Sequence, residues 1–329
     1  MKKSKIMGIS FCVAGAILAL ILIYFLSIYF FVFKANFHRL DEQRTPEQEI
    51  EFYAGEENYK IHLEDAKWAE ENSELCLEIT SFDGLKLKAL LMEAEKDCQG
   101  TVLLMHGYHS GPIREFATIS KVFHEMNYNV VMPYQRSHGE SEGKWITFGI
   151  KERYDCRDWI LKINELYGDD FPLFVGGISM GCATITMTSG FDLPSNVRGF
   201  IADCGFTSPY EITYWTATKK MGLPKTVATT FVNTTNWIGK TFFDYPLDGY
   251  STYEALSQCN KPFLFISGTA DETVPVEMTM SNYLQYKGTY PYDTELLLVE
   301  DCPHAISYLV DKENYDNKIR NFVQKYGAK

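Results

Sequence analysis

Six short apolar runs between residues 101 and 301 constrain the fold of this chain more than any other feature. They are TVLLMHG (101–107), NVVMPY (129–134), PLFVGGIS (172–179), VRGFIADCG (197–205), PFLFISG (262–268) and TELLLVED (294–301). Most are too apolar for a half-exposed strand and have the pattern of parallel strands covered on both faces. Segments with helical periodicity lie between several of them, at 115–127, 150–168 and 182–191. This alternation predicts an α/β fold with a doubly wound, mostly parallel sheet.

Two alternating segments precede these runs. LCLEITS (75–81) and LKLKALLMEA (85–94) flank the turn signal FDG and predict an antiparallel hairpin. The chain has 329 residues, which is enough for one large domain with a full core or for two small domains. We assign residues 76–329 to one α/β domain.

The N-terminus carries 28 residues without a charge, from Ile6 to Phe33. A helix needs about 20 apolar residues to cross a bilayer core. The alternative is a signal peptide, whose apolar region has about 7–15 residues and ends in a small-residue cleavage site. Here the far end reads IYFFVFK, and such aromatic residues suit a membrane interface. We expect residues 1–33 to form an uncleaved tail and transmembrane anchor.

The charges on the two sides of this anchor are nearly balanced, so they fix its orientation poorly. They are Lys2, Lys3 and Lys5 before the anchor, and Lys34, Arg39 and Arg44 after it. We expect a single-pass signal-anchor with the following domain outside the cytoplasm. The scattered cysteines favour the opposite orientation, because reduced thiols are typical of the cytoplasm.

Two stretches fall outside the alternation of strands and helices. Residues 34–75 are charged and mostly polar, and we expect a juxtamembrane stalk that ends in a helix. About 56 residues separate the strands at 197–205 and 262–268, and this stretch is aromatic-rich and partly helical. A long structureless loop is uncommon in a compact domain. We expect a helical lid insertion at about 207–260 over the sheet's carboxyl edge, where such folds bind ligands. The alternative is a peripheral packing insertion.

Composition narrows the classes of partner and cofactor. The formal net charge is −12, and so acidic a domain repels nucleic acid and anionic lipid headgroups. The sequence has no zinc-like C-x-x-C pair, no Walker loop and no G-x-G-x-x-G after a strand, so we expect no metal and no cofactor. The eight cysteines are scattered singly and one, Cys12, lies in the anchor, so we expect no disulfide framework.

The sequence VGGISMGCA (175–183) places Ser179 between two glycines in the pattern G-x-S-x-G. The pattern alone is weak, because a serine becomes a nucleophile only with a base that removes its proton and a carboxylate that orients the base. In one common architecture the chain order is serine, acid, histidine. Six of the seven histidines precede Ser179 and only His304 follows it, directly after the last predicted strand. His304 is therefore the candidate base.

Two aspartates compete for the role of the acid. Asp271 lies in SGTADETVP after the next-to-last strand, on a turn of small residues, whereas Asp203 ends the strand before it. We favour Asp271, for which the alternative role is a cap of the following helix.

A tetrahedral intermediate also needs hydrogen-bond donors for its oxyanion. The backbone N–H of Met180, at the start of the helix after Ser179, is one candidate donor. The second is the N–H of Tyr108, in the loop HGYHSG after the first buried strand. We expect Ser179 itself to take a strained conformation, which the neighbouring Gly177 and Gly181 permit because they have no Cβ.

With these residues in place, the chain resembles serine hydrolases of the α/β-hydrolase superfamily. It is most similar to bacterial members, membrane-anchored or secreted, that are grouped with serine aminopeptidase-like and prolyl-oligopeptidase-like hydrolases. The motifs that carry the resemblance are SFDGLKLKALL, HGY, QRSHGESEG, GISMG, DCGFTS, GTADETVP and PHA, in that order. The resemblance implies a triad of Ser179, Asp271 and His304 with Tyr108 and Met180 as oxyanion donors. It also implies a structural role for Arg136 and His138.

The expected activity is hydrolysis of carboxylic esters, acyl or lipid-like, through a covalent acyl-enzyme. Action on short peptides as a peptidase or aminopeptidase, and acyl transfer, are the alternatives within the enzyme class. A hydrolase fold kept as a binding module is the alternative outside it, although such modules have typically lost a triad residue. Six aromatic residues of the lid favour an apolar acyl or aromatic substrate, namely Tyr214, Trp215, Phe231, Trp237, Phe242 and Phe243.

Overall fold

The structure, a computed structural model, describes residues 2–39, 45–291 and 293–327. Residue 1 of the expected tail, residues 40–44 with the flanking charge Arg44, and residues 328–329 lie outside the described part. The strands are β1 Glu74–Thr80, β2 Lys86–Met92, β3 Gly100–Met105, β4 Tyr128–Pro133, β5 Leu173–Ile178, β6 Val197–Asp203, β7 Phe263–Gly268 and β8 Thr294–Val299. The helices are α1 Lys2–Ile28, α2 Pro46–Phe52, α3 Glu56–Glu71, α4 Pro112–Glu125, α5 Glu152–Tyr167, α6 Met180–Thr188, α7 Pro209–Lys219, α8 Lys225–Phe242, α9 Thr252–Gln258, α10 Val276–Thr289, α11 Ser307–Val310 and α12 Lys312–Gly327.

These strands form one sheet in the order β1-β2-β4-β3-β5-β6-β7-β8. Strand β2 runs antiparallel to both of its neighbours, whereas the strands from β4 across to β8 are parallel. Every residue of β3, β4, β5 and β7 is buried, as expected for strands with helices on both faces. The predicted α/β class, the mostly parallel sheet and the antiparallel hairpin are confirmed.

The sheet brings the carboxyl ends of its parallel strands to one edge. Three loops leave this edge after β3, β7 and β8, and the turn from β5 into α6 emerges between them. In open α/β sheets ligands bind at this edge. The topology therefore collects the loops that carry Tyr108, Asp271 and His304 around the turn at Ser179.

The apolar N-terminal segment is helical along its length. Residues Val13–Lys34 form a helix that is long and apolar enough to cross a bilayer. After α1 the chain continues as a π-helix over Tyr29–Phe37, and Ile28 and Phe33 of this region are buried against the rest of the protein.

The polar segment at 34–75 differs from a free stalk, because its helices pack on the domain. Tyr53 is fully buried, and its hydroxyl donates to the carbonyl oxygen of Arg114 at 3.0 Å. Asp65 of α3 accepts a hydrogen bond from Thr118 of α4 at 2.8 Å and pairs with Lys121 at 3.0 Å. The contact is apolar as well as polar, since Tyr53 and Ala69 belong to the main hydrophobic core.

The long connection between β6 and β7 forms three helices with different neighbours. The α7–α8 pair buries Ile212 and Val232 in an apolar cluster that also holds Met180, beside the Ser179 turn. Helix α9 instead contacts α6 and α10, and its Leu256 joins the core on one face of the sheet. The part of the connection that faces the sheet's carboxyl edge is therefore α7 and α8.

The contact between α6 and the end of β3 gives a stability prediction. A Cβ at Gly181 would collide with the backbone carbonyl oxygen of Met105. Backbone cannot move aside as a flexible side chain can, so Gly181→Ala should destabilise the protein by about 3 kcal/mol, the upper range for overpacking. Gly288→Ala is the matched control, because nothing lies within 4 Å of a Cβ there. Thermal unfolding in detergent measures both variants; equal melting temperatures would contradict the close contact.

Candidate active site

Ser179 occupies the turn between β5 and α6 in a conformation that L-residues rarely adopt. Its φ is 56° and its ψ is −117°. A positive φ costs a non-glycine residue free energy and persists only where the surroundings fix it. The N–H of Ser179 donates to the carbonyl oxygen of Asp203 at 2.9 Å, which ties the turn to β6. The side chain consequently projects at the carboxyl edge of the sheet.

His304, in the loop after β8, bridges Ser179 and Asp271. Its Nε2 lies 2.8 Å from Ser179 Oγ, and its Nδ1 lies 2.6 Å from Asp271 Oδ2. In neutral imidazole, Nδ1–H donates to the carboxylate and Nε2 accepts from the hydroxyl. The Asp271 side chain is fully buried, while that of His304 is 15% exposed. The structure thus brings together the three residues of the predicted triad.

Asp271 uses its two carboxylate oxygens for different partners. Oδ1 accepts hydrogen bonds from the N–H groups of Thr273 and Val274, both at 2.8 Å. Oδ2 faces His304. Asp271 is not the cap of the following helix, since the N-cap of α10 is Pro275; its Oδ1 organises the turn that leads to this helix, while Oδ2 contacts the histidine.

The competing acid, Asp203, has another partner. Its Oδ2 accepts a hydrogen bond from the Tyr315 hydroxyl at 3.1 Å. Burial raises the pKa of Asp203 to about 7. Since Nδ1 of His304 faces Asp271, the geometry selects Asp271 over Asp203 as the residue that orients the imidazole.

The two predicted oxyanion donors lie on either side of Ser179. Met180 is the first residue of α6, where backbone N–H groups have no partner within the helix. The loop after β3 lies against Ser179, since a Cβ at Gly107 would be 3.3 Å from the Ser179 Cβ. Tyr108 follows in this loop, and both Tyr108 and Met180 line the cavity described below.

Two other histidines near the site are buried acceptors within a loop network. His106 Nε2 accepts from the N–H of Gln135 at 3.0 Å, and His138 Nε2 accepts from the N–H of His109 at 3.1 Å. Burial lowers the pKa of His106 to about 4 and that of His138 well below its ordinary value. Arg136 pairs with the buried Asp155 at 2.6 Å. These contacts hold the loops beneath the site.

The donor atoms of Cys204, Asp271 and His304 lie within 4.8 Å of one another, which is a spacing that could hold a metal ion. Both ring nitrogens of His304 already face Ser179 and Asp271. Burial raises the pKa of the Cys204 thiol far above its ordinary value, so the thiolate that metals prefer is disfavoured. Asp271 and His304 therefore fit the hydrogen-bond network with Ser179 better than a metal site.

A cavity of about 1020 Å³ opens onto Ser179 and His304. The α7–α8 pair supplies Ile212, Thr213, Thr216 and Phe231 to its wall, and the N-terminal segment supplies Val32 and Phe37. Of the six lid aromatic residues named in the sequence analysis, Phe231 is the one found among the lining residues in the part of the chain that the structure describes. Trp237 and Phe242 are more than half exposed, and Phe243 stacks on Phe33. The apolar wall thus comes largely from residues that the sequence did not single out.

Known proteins resemble this chain more strongly in structure than in sequence. No family model matches the chain. It is 23% identical over 230 residues to the uncharacterized protein YqkD of Bacillus subtilis strain 168, covering 70% of this chain and 73% of the relative.

The structural similarity extends to several esterases. The esterase Pf2001 of Pyrococcus furiosus superposes with a TM-score of 0.64 and 21% identity, covering 89% of this chain and 98% of the esterase. Est1E of Butyrivibrio proteoclasticus, solved with ferulic acid bound, superposes with a TM-score of 0.58 and 16% identity, covering 77% of this chain and all of Est1E. The chain has the α/β-hydrolase fold. The fold implied by the sequence motifs is confirmed.

Within this α/β-hydrolase fold, Glu115 is a site residue that the sequence analysis missed. It lies in the first turn of α4 and is 6% exposed, and its Oε2 accepts a hydrogen bond from the N–H of Gly107 at 2.6 Å. Glu115 thereby holds the loop that carries Tyr108. Nothing distinguishes it in sequence from the other 42 acidic residues, because only the packing of α4 under the loop gives it this position.

Burial raises the pKa of Glu115 from its ordinary value near 4.5 to about 7. The folded state therefore holds its proton more tightly than the unfolded state, and the stability that this proton contributes is present below pH 4.5 and lost as the pH rises through 7. Glu115→Gln removes the titration. Across this window the free energy of unfolding of the wild type should fall by about 3 kcal/mol relative to that of the variant. Melting temperatures of both proteins, measured at a series of pH values, report this difference. Parallel curves for the two proteins would contradict the raised pKa.

Proposed function

We propose that the protein is a serine hydrolase that cleaves carboxylic esters with an acyl or lipid-like group. The observation that carries the proposal is the position of His304, within hydrogen-bond distance of both the Ser179 hydroxyl and the Asp271 carboxylate. A nucleophile, a base and a group that orients the base are the parts that acyl transfer requires. They lie at the wall of a cavity large enough for a sizeable acyl group.

In the proposed acylation step, Ser179 Oγ attacks the ester carbonyl carbon while its proton passes to His304 Nε2. The carbonyl oxygen becomes an oxyanion that accepts hydrogen bonds from the N–H groups of Met180 and Tyr108. Asp271 remains ionised and stabilises the imidazolium that forms. The intermediate then collapses as the bond to the alcohol oxygen breaks, and His304 gives its proton to that oxygen. The products of this step are the free alcohol and an ester of Ser179.

Water completes the cycle. His304 Nε2 takes a proton from a water molecule, whose oxygen attacks the acyl carbon of the acyl-enzyme. The second intermediate uses the same oxyanion donors, and its collapse returns the proton to Ser179 Oγ and releases the carboxylic acid. No step needs a metal or a cofactor.

The structural neighbours support an ester rather than an amide as the substrate. Pf2001, Est1E and the Exiguobacterium antarcticum protein EaEST, which has a TM-score of 0.54, are described as esterases or carry an esterase name. Short peptides and acyl acceptors other than water are the competing substrates. A series of acyl esters assayed beside aminoacyl amides separates these activities.

We propose further that the apolar N-terminal segment anchors the protein in a membrane as a single-pass helix, with the catalytic domain outside the cytoplasm. The length and apolar character of this helix support the anchor. The acidity of the chain, with a net charge of −12, makes the helix rather than the domain surface the source of membrane affinity.

The proposed nucleophile gives a direct test. Ser179→Ala should lower the turnover of p-nitrophenyl acetate by at least about 10⁴-fold, because a triad without its nucleophile retains only the contribution of binding and the oxyanion donors. The matched control is Ser257→Ala on helix α9, an exposed serine whose hydroxyl donates to the Glu254 carbonyl oxygen. This control should keep full activity.

A fluorophosphonate probe separates the enzyme from a binding module with the same fold. The folded wild type should be labelled on Ser179, and the Ser179→Ala variant should not be labelled. Failure of the folded wild type to react, or unchanged acetate turnover in the variant, would contradict the proposal.

A further inference from the structure

Part of the cavity wall comes from the N-terminal segment. Val32 and Phe37 line the cavity that contains Ser179 and His304, and they are only 6% and 4% exposed. The uncharged stretch that ends at Phe33 has 28 residues, whereas crossing a bilayer core takes about 20. The stretch is therefore longer than an anchor needs, and its far end is built into the candidate site.

Aromatic contacts fix this end of the segment against the catalytic domain. Phe33 stacks on Phe243 with ring centroids 4.6 Å apart. Phe37 makes edge contacts with Phe148 and Tyr245, both at 5.3 Å. Phe148 also lines the cavity. The end of the anchor, the connection after α8 and the cavity wall consequently form one packed unit.

The outer face of α8 lies beside the anchor helix. The Tyr24 hydroxyl donates to Thr234 Oγ1 at 3.2 Å, and the rings of Phe25 and Trp237 are 5.8 Å apart. Trp237 is 52% exposed and Phe242 is 67% exposed. Large exposed apolar side chains mark contact surfaces, and tryptophan is enriched at the membrane interface. If the N-terminal helix crosses a membrane as proposed, these two side chains face the bilayer surface.

We infer that the substrate is an acyl lipid drawn from the bilayer, and that its acyl chain lies in the cavity against Val32 and Phe37. The inference rests on the proposed function, since it assigns the substrate of the same site. The anchor then has two roles, because it holds the enzyme at the membrane and also forms part of the acyl-binding wall. Val32 is a specificity-determining residue in this account.

Substitution of Val32 in the full-length protein tests the inference in detergent micelles. Val32→Trp should lower the ratio of kcat/KM for the twelve-carbon p-nitrophenyl ester to that for acetate by about tenfold or more, because each excluded methylene loses about a fourfold factor in binding. Val32→Ala enlarges the cavity and should raise the ratio of kcat/KM for a sixteen-carbon ester to that for acetate. Phe30→Trp is the matched control on the same segment, since Phe30 is 53% exposed and is not a lining residue. It should leave the ratio unchanged.

A binding measurement separates this inference from the proposed function. The wild type in phosphatidylcholine vesicles is irradiated with a palmitic acid that carries a terminal diazirine, and the attachment sites are mapped. Attachment within residues 29–37 that is reduced by Val32→Trp is the expected result. The inference is overturned if the label attaches elsewhere and no Val32 variant changes the ratio of kcat/KM between long-chain esters and acetate. This holds even if acetate is hydrolysed. Attachment within residues 29–37 without acetate hydrolysis upholds lipid binding and overturns the proposed function instead.

Discussion

The close contact between strand β5 and helix α6 is the constraint on which the rest of the site depends. A Cβ at Gly177 would lie 2.5 Å from the carbonyl of Gly181, so the strand and the helix meet without side chains between them. This contact forces the chain through a tight turn at Ser179, where φ is 56°. The free energy that this conformation costs is offset by packing around the turn, since Met180 and the whole of α6 are buried.

The strands on one side of β5 then determine where the partners of Ser179 lie. Strands β6, β7 and β8 follow β5 in order across the sheet, and the loops after β7 and β8 carry Asp271 and His304. Asp271 is held by two backbone N–H groups of its own loop, so the carboxylate faces His304 in one orientation. On the other side, Glu115 fixes the loop after β3 through Gly107. The loops after β3 and β7 are therefore each held by hydrogen bonds between a carboxylate and backbone N–H groups.

Sequence reasoning reached the parts of this arrangement that follow from periodicity and chain order. The buried strands have continuous apolar runs, and His304 is the single histidine after Ser179, so the sheet and the three residues that meet at its carboxyl edge could be named in advance. The helices at 46–71 were expected to form a stalk because their sequence is mostly charged and polar. They pack on the domain through ion pairs, such as that of Asp65 and Lys121, and through scattered apolar side chains, such as Tyr53, that form no long apolar run. Glu115 and Val32 escaped notice for a related reason. Their roles depend on contacts with residues far away in the chain, and a single sequence does not record such contacts.

The apolar lining of the cavity comes from residues other than those expected from the sequence. Aromatic residues in the inserted helices were the expected lining, yet Trp237 and Phe242 are more than half exposed and Phe243 packs against Phe33 of the N-terminal segment. The apolar face of an amphipathic helix can cover a cavity, or it can contact a membrane or another helix. Composition alone does not distinguish these cases. The lining from Val32 and Phe37 brings the N-terminal segment to the cavity that contains Ser179 and His304.

The most direct test of the account is a crystal structure of the full-length protein after reaction with a dodecyl fluorophosphonate. We expect a bond between phosphorus and Ser179 Oγ, with the phosphoryl oxygen within hydrogen-bond distance of the N–H groups of Met180 and Tyr108. We also expect the alkyl chain to run along the cavity to Val32. A phosphorus atom on another residue, or a phosphoryl oxygen turned away from both N–H groups, would contradict the assignment of the site.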